Sequence, residues 1–254
     1  MMTTIDGAYL ALLAIGLTID AFVLWPSFLR RSAADAARAR VWLWVSTILF
    51  LWTLAAAGAA AWLIERRSWA ALRFSVPHGW RAFATVILLL AVVAFYARPV
   101  ARITRARRSN RRIKFPSDVA RRSPHSRTDL AWWMAVSVSA AICEEFIFRG
   151  YLISVLDPVL GLWVAAAVSL IVFTMAHAYQ GTKGMVGVAV VGALFTLIVL
   201  VLGSLVAAIA VHMLGDAGEG FVAWLALRDT QGPQGEVSEP ADPVAPGSNT
   251  VPLI

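Results

Sequence analysis

Residues 142–150 decide the fold class, and they read Ile142-Cys143-Glu144-Glu145-Phe146-Ile147-Phe148-Arg149-Gly150. This stretch sets two adjacent carboxylates and an arginine into an otherwise apolar run of helix length. An ionised side chain near the middle of a bilayer costs about 2.5–3.5 kcal/mol on insertion scales, so such groups are usually paired and functional. The stretch therefore predicts a membrane helix that carries a functional site.

The composition of the whole chain agrees with a membrane location. Of the 254 residues, 59% are hydrophobic and only 15% are charged, whereas soluble domains are about 45–50% apolar. With about 20 residues per crossing, the sequence predicts an all-α, polytopic membrane protein, a bundle of about seven transmembrane helices. The predicted spans are about 7–25, 41–64, 82–97, 130–156, 159–178, 185–202 and 205–227.

Prolines indicate where two of these helices end, and they are frequent in the last stretch of the chain. Pro26 is expected to end the first span, and Asp157-Pro158 the fourth, because proline lacks an N–H group and restricts the residue before it. Residues 229–254 are rich in proline, glycine, serine and acids, a composition that does not build a core. The sequence thus predicts a membrane domain over 1–228 and a disordered tail over 229–254.

The basic residues indicate orientation in the membrane. The net charge of +7 comes mainly from arginines in short loops beside apolar segments, which excludes a spread-out nucleic-acid surface and fits the positive-inside rule. Residues 98–127 hold ten arginines, and we expect this loop to contact anionic lipid headgroups. The bias predicts an outer N-terminus and a cytoplasmic C-terminus, and the alanine- and arginine-rich composition suggests a bacterial inner membrane.

Six polar residues inside the last four predicted spans are candidate site residues: Glu144, Glu145, Arg149, His177, His212 and Asp216. Residues four apart share a helix face, so Glu145 and Arg149 are expected to form an ion pair, and His212 is expected to lie beside Asp216. Glu144 is rotated by about 100° from Glu145 and is expected to point towards neighbouring helices. Asp20, in the first span, is interpreted as an interfacial or helix-packing residue, and Cys143 as a small apolar filler.

Glutamate, two histidines and aspartate in a dry cavity suggest hydrolysis. A desolvated carboxylate can act as a general base on water, with a histidine orienting the water or stabilising charge. The same residue types can instead hold a divalent metal such as zinc, with Glu144, His177 and His212 as the candidate ligands. The residues alone leave both mechanisms open.

Three short motifs carry a family resemblance. They are Glu144-Glu145-Phe146-Ile147-Phe148-Arg149, Phe173-Thr174-Met175-Ala176-His177 and His212-Met213-Leu214-Gly215-Asp216. In this order, on successive predicted helices, they resemble the CAAX-prenyl endopeptidase and bacteriocin-processing (CPBP, or Abi) family of intramembrane proteases. The resemblance covers residues of about 130–227.

The resemblance implies a role for each residue. Glu144 would activate the attacking water with help from His177, His212 and Asp216 would stabilise the oxyanion, and Arg149 would hold Glu145. It favours a metal-independent glutamate mechanism with no required cofactor. Asp216 occupies a position that is often asparagine in the family, and an ionised aspartate cannot donate a hydrogen bond to an oxyanion.

These observations predict an intramembrane endopeptidase that cleaves a peptide or membrane-protein substrate among spans four to seven. The alternative is a non-catalytic membrane scaffold or immunity-type protein, in which the same polar cluster fixes helix packing. A proton-coupled transporter is disfavoured because the sequence shows no inverted repeat.

Overall fold

Helices account for nearly all of the chain that the structure describes. The computed structural model describes residues 2–109, 112–113, 115–228 and 250–251. The α-helices are α1 (Thr4–Ile19), α2 (Trp25–Ala34), α3 (Ala36–Ile64), α4 (Trp80–Arg108), α5 (Ser117–Arg122), α6 (Arg127–Glu144), α7 (Ile153–Leu160), α8 (Leu162–Ala176), α9 (Gly181–Leu202) and α10 (Leu205–Leu227). Two π-helices (Asp20–Leu24 and Glu145–Leu152) and two 3₁₀ turns (Trp69–Leu72 and Ala178–Gln180) complete them.

Six continuous helices are long and apolar enough to cross a membrane: Thr4–Ala34, Ala36–Ile64, Trp80–Arg108, Arg127–Leu160, Ala178–Leu202 and Leu205–Leu227. The remaining predicted span is the shorter apolar helix α8, with 15 residues. Large apolar side chains, such as those of Phe83 and Trp163, stand exposed on the outside of the bundle. Lipid tails would cover such a surface, so the structure confirms a polytopic helical membrane protein.

Two helices continue through the prolines that the sequence predicts as their ends. Pro26 lies in the first turn of α2, directly after the π-helix Asp20–Leu24, in which the N–H of Trp25 donates to the carbonyl of Asp20. The wider turn inserts one residue before the proline, which lets the helix continue. Pro158 lies inside α7, and that helix ends at Gly161, whose φ of 78° only glycine adopts readily.

The remaining segments are two short strands and the end of the chain. Strand β1 (Arg112–Ile113) pairs in parallel with strand β2 (Thr250–Val251). Apart from β2, the predicted tail over 229–254 lies outside the described residues.

Helix α6 occupies the middle of the bundle. It packs against α3 on one side and α10 on the other, while α10 also packs against α4, and α9 joins α8 to α10. The largest buried cluster contains Tyr9, Trp62, Phe146 and Tyr151. Cys143 is fully buried in the same cluster, which agrees with its interpretation as an apolar filler.

Ion pairs join helices at the two ends of the bundle. At one end, Arg67 donates to the carboxylate of Asp6 at 2.8 and 2.5 Å, and the hydroxyl of Tyr151 donates to the same carboxylate at 2.8 Å. The hydrogen bond to Asp6 raises the pKa of Arg67. At the other end, Arg40 pairs with Asp129 at 3.0 Å. Asp6, Arg40 and Asp129 are buried, whereas Arg67 is partly exposed. The hydrogen bond from Tyr151 to Asp6 holds α1, and the pair of Arg40 with Asp129 holds α3, against the long helix that contains α6.

Candidate active site

The motif that begins at Glu144 lies where the central helix changes from α to π geometry. Helix α6 ends at Glu144, and the π-helix Glu145–Leu152 follows without a break and leads into α7. All eight residues of this π-helix are buried. Short π segments within α-helices are rare and occur frequently at functional sites. This change in geometry therefore coincides with three of the six predicted site residues, Glu144, Glu145 and Arg149.

Arg149 and Glu145 form a fully buried ion pair at the centre of the bundle. Nη1 of Arg149 donates to Oε1 of Glu145 at 3.1 Å, as the spacing of four residues predicted. The other nitrogens reach α9: Nη2 donates to the carbonyl of Gly192 at 3.0 Å, and Nε to the hydroxyl of Thr196 at 3.4 Å. The guanidinium also lies 4.1 Å from the ring centre of Phe173. Arg149 thus joins the motif to α8 and α9.

His212 lies among three carboxylates. Its Nδ1 is 2.9 Å from Oε1 of Glu145, while its Nε2 is 3.4 Å from Asp216 and 3.9 Å from Glu144. The ring stacks on Phe195 with 4.6 Å between centres. The contact with Asp216 follows from their spacing on α10. The hydrogen bond to Glu145 was not expected, because it depends on how α10 is rotated against the π-helix.

A cavity brings Glu144 and His177 together. It has a volume of about 160 Å³ and is lined by residues of α1, α3, α6, the π-helix and the end of α8. His177 directly follows α8, and its Nδ1 lies 2.8 Å from the carbonyl of Phe173. Because a carbonyl only accepts, Nδ1 carries the hydrogen and leaves Nε2 as the second functional nitrogen. Among the described residues, the only ion-pair contact of Glu144 is with Nε2 of His212, at 3.9 Å.

The comparison with known proteins covers this same region. Residues 126–218 match the family model described as type II CAAX prenyl endopeptidase Rce1-like. Residues 126–218 form an Rce1-like domain. No curated protein and no solved structure matches the chain. The match confirms the family that the three motifs indicated, over a region that extends from the N-cap of α6 to the last third of α10.

All six predicted site residues lie within the Rce1-like domain, and the structure gathers them in two adjoining groups. Glu144 and His177 line the cavity, whereas Glu145, Arg149 and His212 form a buried network behind it. Asp216 lies at the edge of this network, with 36% of its side chain exposed.

Two charged residues outside the Rce1-like domain also line the cavity, and neither was among the predicted site residues. Asp20, interpreted as a packing residue, comes from the π-helix that precedes α2. Arg122, counted as one of many orienting arginines, comes from the end of α5. The position of Asp20, an acidic residue inside an apolar segment, was a sequence signal that could have identified it as a cavity residue. No sequence signal separated Arg122 from the arginines around it.

The donor groups of the site do not converge on a common point where a metal ion could bind. Among the described residues, no group of three histidine, cysteine, aspartate or glutamate side chains is arranged to hold a metal. Glu144, His177 and His212, the predicted candidates, are divided between the cavity and the buried network.

Proposed function

We propose that this chain is an intramembrane endopeptidase in which Glu144 activates water for attack on a peptide bond. The observation that supports the proposal is the shared cavity of Glu144 and His177, within a domain whose family is named for endopeptidases. Carboxylate and imidazole, both able to accept or donate a proton, line one space that is large enough for a few water molecules.

The proposed reaction is a general-base hydrolysis. Glu144 takes a proton from water while the oxygen attacks the carbonyl carbon of the scissile bond. The tetrahedral intermediate then collapses, the C–N bond breaks, and Glu144 returns the proton to the leaving amine. Nε2 of His177 orients the water, because its Nδ1 is already engaged with the carbonyl of Phe173. The reaction consumes one water molecule for each peptide bond that is cleaved.

We propose that His212 stabilises the oxyanion and that Asp216 acts through His212. Nδ1 of His212 donates to Glu145, which accepts from Arg149 at the same oxygen. Nε2 can therefore donate to an oxyanion only when both ring nitrogens are protonated. Asp216, 3.4 Å from Nε2, is an acceptor when ionised and is suited to hold the imidazolium in place rather than to contact the oxyanion itself.

The setting of the reaction is also part of the proposal. The substrate is a peptide or membrane-protein segment, the membrane is a bacterial inner membrane, and the C-terminus lies in the cytoplasm. The arginines of residues 98–127, many of them in the last turns of α4 and in α5, contact anionic headgroups. No metal cofactor is required on this proposal.

Substitution of Glu144 and His177 tests the function. We expect Glu144→Gln and His177→Ala to lower cleavage by about 10²–10⁴-fold, the usual contribution of a positioned acid or base. Purified protein in proteoliposomes would be incubated with a library of apolar, membrane-spanning peptides, and new termini would be read by mass spectrometry. Glu65→Gln, at the end of α3 and outside the cavity, is the matched control.

Full activity in either variant would contradict the proposal. The alternative, a non-catalytic scaffold, is favoured by one observation: the network of Glu145, Arg149 and His212 joins the π-helix, α9 and α10. A scaffold predicts no hydrolysis by the wild-type chain, and loss of stability without loss of cleavage in variants of this network.

A further inference from the structure

Asp20 is a carboxylate without a partner in the cavity that holds Glu144 and His177. No hydrogen bond or ion pair joins its side chain to any residue that the structure describes, and its electrostatic neighbours are His177 and Glu144. A partly buried carboxylate that has no hydrogen bond or ion pair is costly, and the second carboxylate of Glu144 adds repulsion. The site therefore favours a cation that comes from outside the chain.

Aromatic rings line the cavity near Asp20. Trp25 and Tyr179 both line it, and their ring centres lie 4.7 Å apart. A carboxylate with aromatic faces is the combination that binds ammonium and guanidinium groups, through a charged hydrogen bond and cation–π attraction. Trp25 lies one residue after the π-helix that contains Asp20, so the π turn helps to bring the carboxylate and the indole to the same cavity.

Arg122, the arginine that lines the cavity, does not neutralise Asp20 in place of an external cation. Arg122 lines the same space but forms no ion pair with any acid among the described residues, and its electrostatic neighbours are Glu219 on α10 and Tyr179. The position of Arg122 also shows towards which end of the bundle the cavity extends. The lining runs from Leu13 and Leu54, inside the bundle, to Arg122 at the end that carries the arginine-rich segment.

We propose that Asp20, Trp25 and Tyr179 form a subsite for a lysine or arginine side chain of the substrate, next to the scissile bond. Membrane-spanning segments carry lysine and arginine at their cytoplasmic ends, and the subsite lies in a cavity that reaches the arginine-rich end of the bundle. The substrate class is thus an apolar membrane segment with a basic residue at its border. This inference rests on the proposed function, because it places the ligand beside Glu144.

Binding to an inactive protein tests the subsite without relying on cleavage. Fluorescent peptides of leucine and alanine, each with one lysine at a different position, would be compared with peptides that carry norleucine there. The full chain with Glu144→Gln, in detergent micelles, would be titrated by fluorescence anisotropy. At one or two positions we expect lysine to bind about 10–100-fold tighter than norleucine, the range of a charge-assisted hydrogen bond.

Variants at position 20 separate the subsite from a structural role. Asp20→Asn should abolish the lysine preference and leave norleucine peptides bound as before, whereas Asp20→Glu should retain part of the preference. Asp35→Asn, which removes a carboxylate paired with exposed Arg38, is the matched control and should change neither. Equal weakening of both peptides by Asp20→Asn, or no lysine preference at any position, would overturn the subsite.

The outcomes are distinct from those of the proposed function. If Glu144→Gln retains full cleavage, the mechanism fails, and the lysine preference still reports on Asp20. If Glu144→Gln is inactive but lysine and norleucine peptides bind alike, the mechanism stands and the subsite is wrong.

Discussion

Replacing Arg149 by methionine removes the cation from the centre of the bundle. Both side chains of the pair, those of Arg149 and Glu145, are 0% exposed. Without Arg149, the carboxylate of Glu145 keeps only the hydrogen bond from His212, and its second oxygen already has no partner within the described residues. Breaking a buried pair by removing one partner costs about 3–5 kcal/mol. The carbonyl of Gly192 and the hydroxyl of Thr196 also lose a donor.

We therefore expect Arg149→Met to lower the free energy of unfolding by about 3–5 kcal/mol. The double variant Glu145→Gln/Arg149→Met removes both charges, so it should recover most of this loss. His212 retains an acceptor in the amide oxygen of that variant, which limits the remaining deficit. The difference between the double variant and the sum of the single ones measures the coupling between the two side chains.

Unfolding in mixed dodecylmaltoside and SDS micelles, followed by the fluorescence of the 11 tryptophans, supplies the measurement. Arg38→Met is the control, because Arg38 is 91% exposed in its pair with Asp35, and such pairs contribute about 0–1 kcal/mol. An Arg149→Met variant within about 1 kcal/mol of the wild type would refute the reasoning. A double variant as unstable as Arg149→Met would refute it equally.

Three further predictions concern packing, pH and metal. Gly58→Ala should destabilise the chain by about 1–3 kcal/mol, since a Cβ there would lie 2.8 Å from the ring of Tyr9, whereas Gly7→Ala, with open space, should be neutral or stabilising in the same unfolding assay. Burial lowers the pKa of His125 below 6.5, so the unfolded state binds more protons and stability should fall as pH drops below 6.5. His125→Asn should reduce this pH dependence between melts at neutral and mildly acidic pH, and an unchanged dependence would contradict the role of His125. EDTA or 1,10-phenanthroline should leave peptide cleavage unchanged; inactivation that zinc reverses would indicate a metal mechanism.

The sequence predicted correctly the helical class and the contacts between residues four apart on one helix. The apolar runs predicted a polytopic helical protein, because each span satisfies its own backbone hydrogen bonds. Spacing of four residues predicted the pair of Glu145 with Arg149 and the contact of His212 with Asp216. Three short motifs were enough to indicate the family that residues 126–218 match, because the residues of a motif are read directly from the sequence.

The rest depends on how separate helices are rotated and joined. The π-helices that begin at Asp20 and Glu145 rotate the side chains that follow them, and the periodicity of the sequence does not reveal this rotation. The first of the two π-helices also lets the helix continue past Pro26. His212 contacts Glu145 because of the rotation of α10. Asp20 lies more than a hundred residues from Glu144 in the chain, and only the packing of α1 against the central helix places both carboxylates in one cavity.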